Sequence, residues 1–129
     1  MSARTLFSIS AVLAGIGVAL GAFGAHGLDG ITPRRLDTYK TAALYHMLHA
    51  LALLVVALAM QAGWDARLRW AAYSFLVGLF LFSGSLYVLV LTDTPWLGAV
   101  TPFGGTAFMI GWGFVALFGW KKPQPPQQD

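Results

Sequence analysis

Three histidines are the only side chains in this sequence that titrate near neutrality, and all three lie in or at the edge of very apolar segments. His26 closes the stretch "GAFGAHGL", residues 21–28, and His46 and His49 sit inside "YHMLHALALL", residues 45–54. Imidazole can ligate a metal, relay a proton or tie helices together by hydrogen bonds. His46 and His49 are three residues apart, about 60° around a helix, so one face can present both. With His26 as a third ligand they could hold a metal ion, and His26 opposite either could supply two haem ligands. H-x-x-H without a carboxylate or cysteine is a weak metal pattern, however, and a polar network between helices is the plainer reading.

Ser83 and Ser85 could serve as nucleophiles only with a base that something orients. All five carboxylates, Asp29, Asp37, Asp65, Asp93 and Asp129, fall outside the apolar segments, and there is no glutamate. Hydrolysis therefore ranks last, and no enzymatic activity is expected. The same shortage handicaps a proton-coupled carrier, which needs a titratable group inside the membrane. A small transporter would have to work as an oligomer. These residues name no cofactor.

The elements that must position these groups are legible from hydropathy. Hydrophobic residues make up 57% of the 129 residues and charged residues only 10%, too few to give a water-compatible surface. Four apolar segments run roughly over Thr5–Ala25, Thr41–Gln61, Leu68–Leu91 and Phe103–Trp120. Each is near the ~20 residues that a helix needs to cross hydrocarbon, and helices are the fitting structure for such segments. The first is longer than the core of a signal peptide and is read as a retained span. The expectation is an all-α membrane protein, a bundle of four transmembrane helices over residues 1–120. Those helices are placed at roughly 5–27, 33–61, 67–91 and 102–120. The tail "KKPQPPQQD", residues 121–129, is expected to be disordered and polar.

Arg4, Arg67, Arg69, Lys121 and Lys122 fall on one side of such a bundle, and Arg34, Arg35 and Lys40 on the other, where Asp29 and Asp37 could pair with them. That bias places both termini in the cytoplasm, with the chain multi-pass in the cell inner (plasma) membrane. The net charge of +3 forms no basic stripe, so nucleic acid is not an expected partner. The absence of cysteine excludes disulfides and thiolate metal sites.

On this topology the embedded polar residues converge on the outer half of the bundle. His26, Tyr45, His46 and His49 meet Ser83, Ser85 and Tyr87 of the third helix and Thr101, Gly104, Gly105 and Thr106 of "TPFGGT". These residues are the candidate ligand-binding pocket. "GITP" and "AVTP" each read as a threonine N-cap followed by proline at the first helical position. Two helix N-termini there would suit a carbonyl-bearing or anionic ligand, such as a lipid headgroup or a quinone. Ser10, Ala14, Gly17, Gly21 and Gly24 form a small-residue stripe on the first helix, suited to close packing within the bundle or to self-association. Trp64, Trp96 and Trp120 mark segment ends, as an interfacial belt requires.

"GAFGAHGL", "YHMLHALALL", "LFSGSLYVLVLT" and "TPFGGTAFMIGW", in this order, resemble the YgdD-like family of small inner-membrane proteins, which has mitochondrial transmembrane relatives in animals. The likeness covers roughly residues 5–120. It implies a four-helix multi-pass inner-membrane protein and carries over no catalytic residue. The resulting expectation is a non-enzymatic protein that binds a membrane lipid or quinone, or that assembles as a homo-oligomer or into a larger membrane complex. A metal- or haem-binding protein and a small transporter are the alternatives.

Overall fold

The computed structural model describes residues 1–120; the expected polar tail, 121–129, lies outside the described residues. Among the described residues four helices are long and apolar enough to cross a membrane. They are α1 (Ala3–His26), α2 (Pro33–Gln61), α3 (Leu68–Thr92) and α4 (Thr101–Phe118), and their bounds lie within two residues of those expected from hydropathy. A short 3-10 turn, Pro95–Ala99, leads into α4.

Neighbouring helices run antiparallel. Tyr39 of α2 donates its hydroxyl to the Leu20 carbonyl of α1, Ser83 of α3 reaches Ala42 of α2, and Gly104 of α4 backs onto Phe82 of α3. α2 and α3 form the central pair, with α1 leaning on α2 and α4 on α3. The N-terminal amine bonds the Tyr73 hydroxyl, and the Arg67 guanidinium covers the Phe118 ring at 4.3 Å, so both ends of the described chain share one end of the bundle. At this terminal end the core is aliphatic and aromatic, built around Leu6, Leu53, Val56, Leu68 and Phe75. At the opposite, far end it is built around Tyr39, Ala42, Leu86, Tyr87 and Val90.

The middle of α3 is not a plain α-helix. Residues Leu79–Gly84 are wound as a π-helix, one residue wider per turn. Gly104 lets α4 settle against this segment. A Cβ on Gly104 would lie 2.7 Å from the Phe82 Cβ and 2.8 Å from the Leu81 carbonyl carbon, closer than any real packing allows. Reciprocal glycines complete the contact: the Phe108 ring covers Gly78, and the Phe75 ring covers Gly111.

The small-residue stripe on α1 is partly corrected. Ser10 and Gly17 are buried, and the Tyr39 ring covers Gly24. Gly21 stands at the rim of that contact, beside the groove it shares with Gly24, Tyr39 and Ala43, and a Cβ there would meet nothing within 4 Å. The packing residues therefore recur every seventh position, which returns them to one side after two turns. The G-x-x-x-G pair at Gly17 and Gly21 is not the contact.

One of the two threonine caps forms. Thr32 accepts from the Arg35 amide at 3.3 Å and caps α2. Thr101 does not cap α4, because the 3-10 turn feeds straight into the helix through Val100 and leaves Thr101 already helical. The far-end charges also differ from the expected pairing with Asp29 and Asp37. Arg35 donates to the Val90 carbonyl in the last turn of α3 and lies 3.9 Å from Asp93. A cation there complements the negative end of α3.

Candidate functional site

His46 and His49 occupy the middle of α2, are both buried, and diverge to different neighbours. His46 turns toward α1 and the far half of α3. Its Nε2 lies 2.8 Å from the Leu13 carbonyl oxygen and its Nδ1 3.0 Å from the Tyr87 hydroxyl. A carbonyl oxygen only accepts, so Nε2 carries the proton and Nδ1 takes the Tyr87 O–H. His49 turns toward α4. Its Nδ1 donates to the Tyr45 carbonyl of its own helix at 2.8 Å, and its Nε2 accepts the Trp112 indole N–H at 3.1 Å. An indole N–H only donates, so this imidazole is neutral and of the opposite tautomer. The His49 ring lies flat on Phe108, with centroids 3.6 Å apart and planes 13° from parallel.

These contacts bear directly on the three-histidine metal set. Both ring nitrogens of His46 and of His49 are already engaged by protein groups. His26 is exposed at the end of α1, roughly 20 Å along the helix from Leu13 at about 1.5 Å per residue. Among the described residues no three of His, Asp and Glu come close enough to share a metal ion. The set does not assemble, and a haem bridged between His26 and either α2 histidine has no geometry here.

The other pocket residues are likewise distributed. Ser83, in the π-helical segment, donates to the Ala42 carbonyl at 2.9 Å and ties α3 to α2. Ser85 and Thr101 share a hydrogen bond of 2.8 Å that joins α3 to the start of α4. Gly104 is buried against α3, Gly105 faces a cleft, and Thr106 is exposed and bonded back to the Pro102 carbonyl at 2.9 Å. One pocket in the outer half therefore resolves into two regions at middle depth, one on each side of α2.

On the α1 side, a cleft of 370 Å³ between α1 and α3 has His46, Ser83 and Tyr87 in its wall. On the α4 side, Tyr45, His49 and Trp112 are common to two adjoining clefts of 470 and 520 Å³, the larger also lined by Phe82, Gly105 and Phe108. Tyr45 is the distinctive residue of this second region. It is 38% exposed, its ring lies 4.7 Å from that of Phe82, and its hydroxyl has no hydrogen-bond partner among the described residues.

Trp112 was absent from the sequence expectation. Its signal is a tryptophan near the middle of an apolar segment, away from the ends where Trp64, Trp96 and Trp120 lie. An indole N–H at that depth needs an acceptor, and a histidine on a neighbouring helix is the natural one.

Comparison with known proteins agrees with the architecture. The profile of a family described as "Protein of unknown function (DUF423)" matches residues 20–105. The UPF0382 membrane protein YwdK of Bacillus subtilis is 47% identical over 116 residues, covering 88% of this chain and 94% of that protein. The UPF0382 membrane protein SAB0533 of Staphylococcus aureus is 43% identical, covering 88% of this chain and 93% of its own. A UPF0382 membrane protein of Haemophilus influenzae is 44% identical, with 81% and 85% covered. No solved structure matches significantly. With four spans and relatives this similar along nearly their whole length, the chain is a multi-pass membrane protein that belongs to the family of unknown function DUF423.

Proposed function

We propose that this protein is a non-enzymatic binding protein of the inner (plasma) membrane, which holds a neutral bilayer-soluble molecule in the cleft between α2 and α4. The observation that carries this reading is the Tyr45 hydroxyl. It has no protein partner among the described residues, although it lies about 6 Å inside the apolar part of α2, Thr41–Gln61. A polar hydrogen in hydrocarbon costs several kcal/mol when unpaired, so an acceptor from the bilayer is favoured there. His49 and Trp112 satisfy each other and act as a fixed polar floor to the cleft.

Gly105 provides the test. A Cβ on it would lie 3.7 Å from the Phe82 ring, an ordinary contact, so a side chain there starts without a clash and Gly105→Leu extends into the cleft. Native mass spectrometry of the detergent-purified protein should show an adduct of constant mass on the wild type. The Gly105→Leu variant should lack it while melting at a similar temperature. An adduct that survives Gly105→Leu, or a wild type carrying only bulk phospholipid, would remove the cleft from the reading.

The orientation belongs to the same proposal. Arg4, Arg67 and Arg69 stand at the terminal end, whereas Arg35 at the far end is drawn into the cap of α3. With Lys121 and Lys122 of the sequence on the terminal side, five basic residues stand against Arg34, Arg35 and Lys40, a bias toward cytoplasmic termini. A reporter fused after Asp129 should be active only in its cytoplasmic form. Periplasmic activity of that fusion would invert the assignment.

A further inference from the structure

The chemistry of the α2–α4 cleft narrows what it can hold. No charged side chain lines it, so a phosphate or carboxylate has no counter-ion there. Its walls are Phe82, Phe108, Trp112 and Tyr45, aromatic faces suited to a flat ring. The His49 and Phe108 rings, already parallel at 3.6 Å, show that the site packs planar groups face to face. Among the described residues its one unpaired donor is the Tyr45 O–H, and the exposed Leu44, Leu48 and Val55 open the cleft to the outside of the bundle.

Shape selects the acceptor. The apolar part of α2 runs from Thr41 to Gln61, so the Tyr45 Cα lies about 6 Å inside its far end, and the phenol reaches into the cleft below the headgroups. A phospholipid ester carbonyl at that level brings no ring to the aromatic walls. An uncharged ring that carries its own carbonyl meets both the hydroxyl and the walls.

Resting on the binding role proposed above, we infer that the cleft between α2 and α4 takes a quinone-class head group, with its carbonyl on the Tyr45 hydroxyl and its ring against Phe82, Phe108 and Trp112. The isoprenoid or alkyl tail lies along the apolar groove continuing past Leu44, Leu48 and Val55 on α2.

Trp112 reports on this site directly, because a quinone quenches indole fluorescence on contact. In protein with Trp64, Trp70, Trp96 and Trp120 changed to phenylalanine and reconstituted in phosphatidylcholine vesicles, decylubiquinone should quench Trp112 saturably. Tyr45→Phe, which keeps the ring and its packing, should weaken the apparent affinity about fivefold, the worth of one neutral hydrogen bond. Gly105→Leu should abolish the saturable phase. Quenching that rises linearly and equally in all three proteins is collision with quinone dissolved in the bilayer, and it overturns the inference. If that occurs while Gly105→Leu still removes a native adduct, the cleft binds a molecule of other chemistry. If the adduct is also missing, the binding role itself falls.

Discussion

Gly104→Ala is expected to lower stability by about 2 kcal/mol or more, whereas Gly105→Ala, one residue on, should be neutral or slightly stabilising. A methyl on Gly104 would overlap the backbone of Leu81 and Phe82, which cannot rotate away as a side chain can. Overpacking of this kind costs typically 1–3 kcal/mol, and a rigid neighbour places Gly104 at the upper end. Against that stands the gain in helix propensity from Gly to Ala, up to about 1 kcal/mol, which both variants receive. The neighbour of Gly104 is moreover the π-helical part of α3, so the only relief is for the two helices to separate. Separation would also loosen Phe108 from Gly78 and Phe75 from Gly111. Thermal melting in mild detergent reads the difference. Equal melting temperatures for the two variants would mean that α3 and α4 are not held by this backbone contact.

Helix number, order and bounds were legible because lipid imposes one requirement on every residue of a span, and hydropathy measures it. Burial within the bundle was less legible, since in lipid apolar residues face both inward and outward. Gly17 and Gly21 look equivalent in sequence, yet His46 and Met47 pack at the first and open space lies at the second. The histidine partners were legible only in part for a related reason: a tyrosine hydroxyl and backbone carbonyls were expected and are found, but Trp112 was not. Depth alone brought both histidines together with Ser83, Ser85, Tyr87 and Thr106, and depth does not say which side of a helix a ring leaves from. His46 took Tyr87, while His49 took an indole on α4 and a carbonyl of its own helix. The serines found carbonyls or hydroxyls nearer to hand. The π-helical turn of α3, where Phe82 meets α4 and Ser83 meets α2, was invisible because hydropathy does not register how a helix is wound.

The tie between His46, Tyr87 and Leu13 joins three helices through one buried imidazole, and removing that centre is expected to be costly. His46→Leu leaves the Tyr87 O–H without an acceptor in a buried position and takes a donor from the Leu13 carbonyl. An orphaned buried hydroxyl costs about 1–3 kcal/mol, so the variant should lose roughly 2–3 kcal/mol in all. Tyr87→Phe should lose less, about 1 kcal/mol, since it leaves only a ring lone pair unused and keeps the aromatic contact with Tyr39. The double variant removes donor and acceptor together. It should therefore be more stable than His46→Leu alone, and the non-additivity reports the bond itself. Because His46 faces α1 and the candidate cleft lies on the α4 side, the same variant should leave any adduct sensitive to Gly105→Leu in place. Losses that simply add would show that the His46–Tyr87 contact contributes packing and no hydrogen bond. Loss of the adduct with His46→Leu in a still-folded protein would mean that the two sides of α2 act as one site.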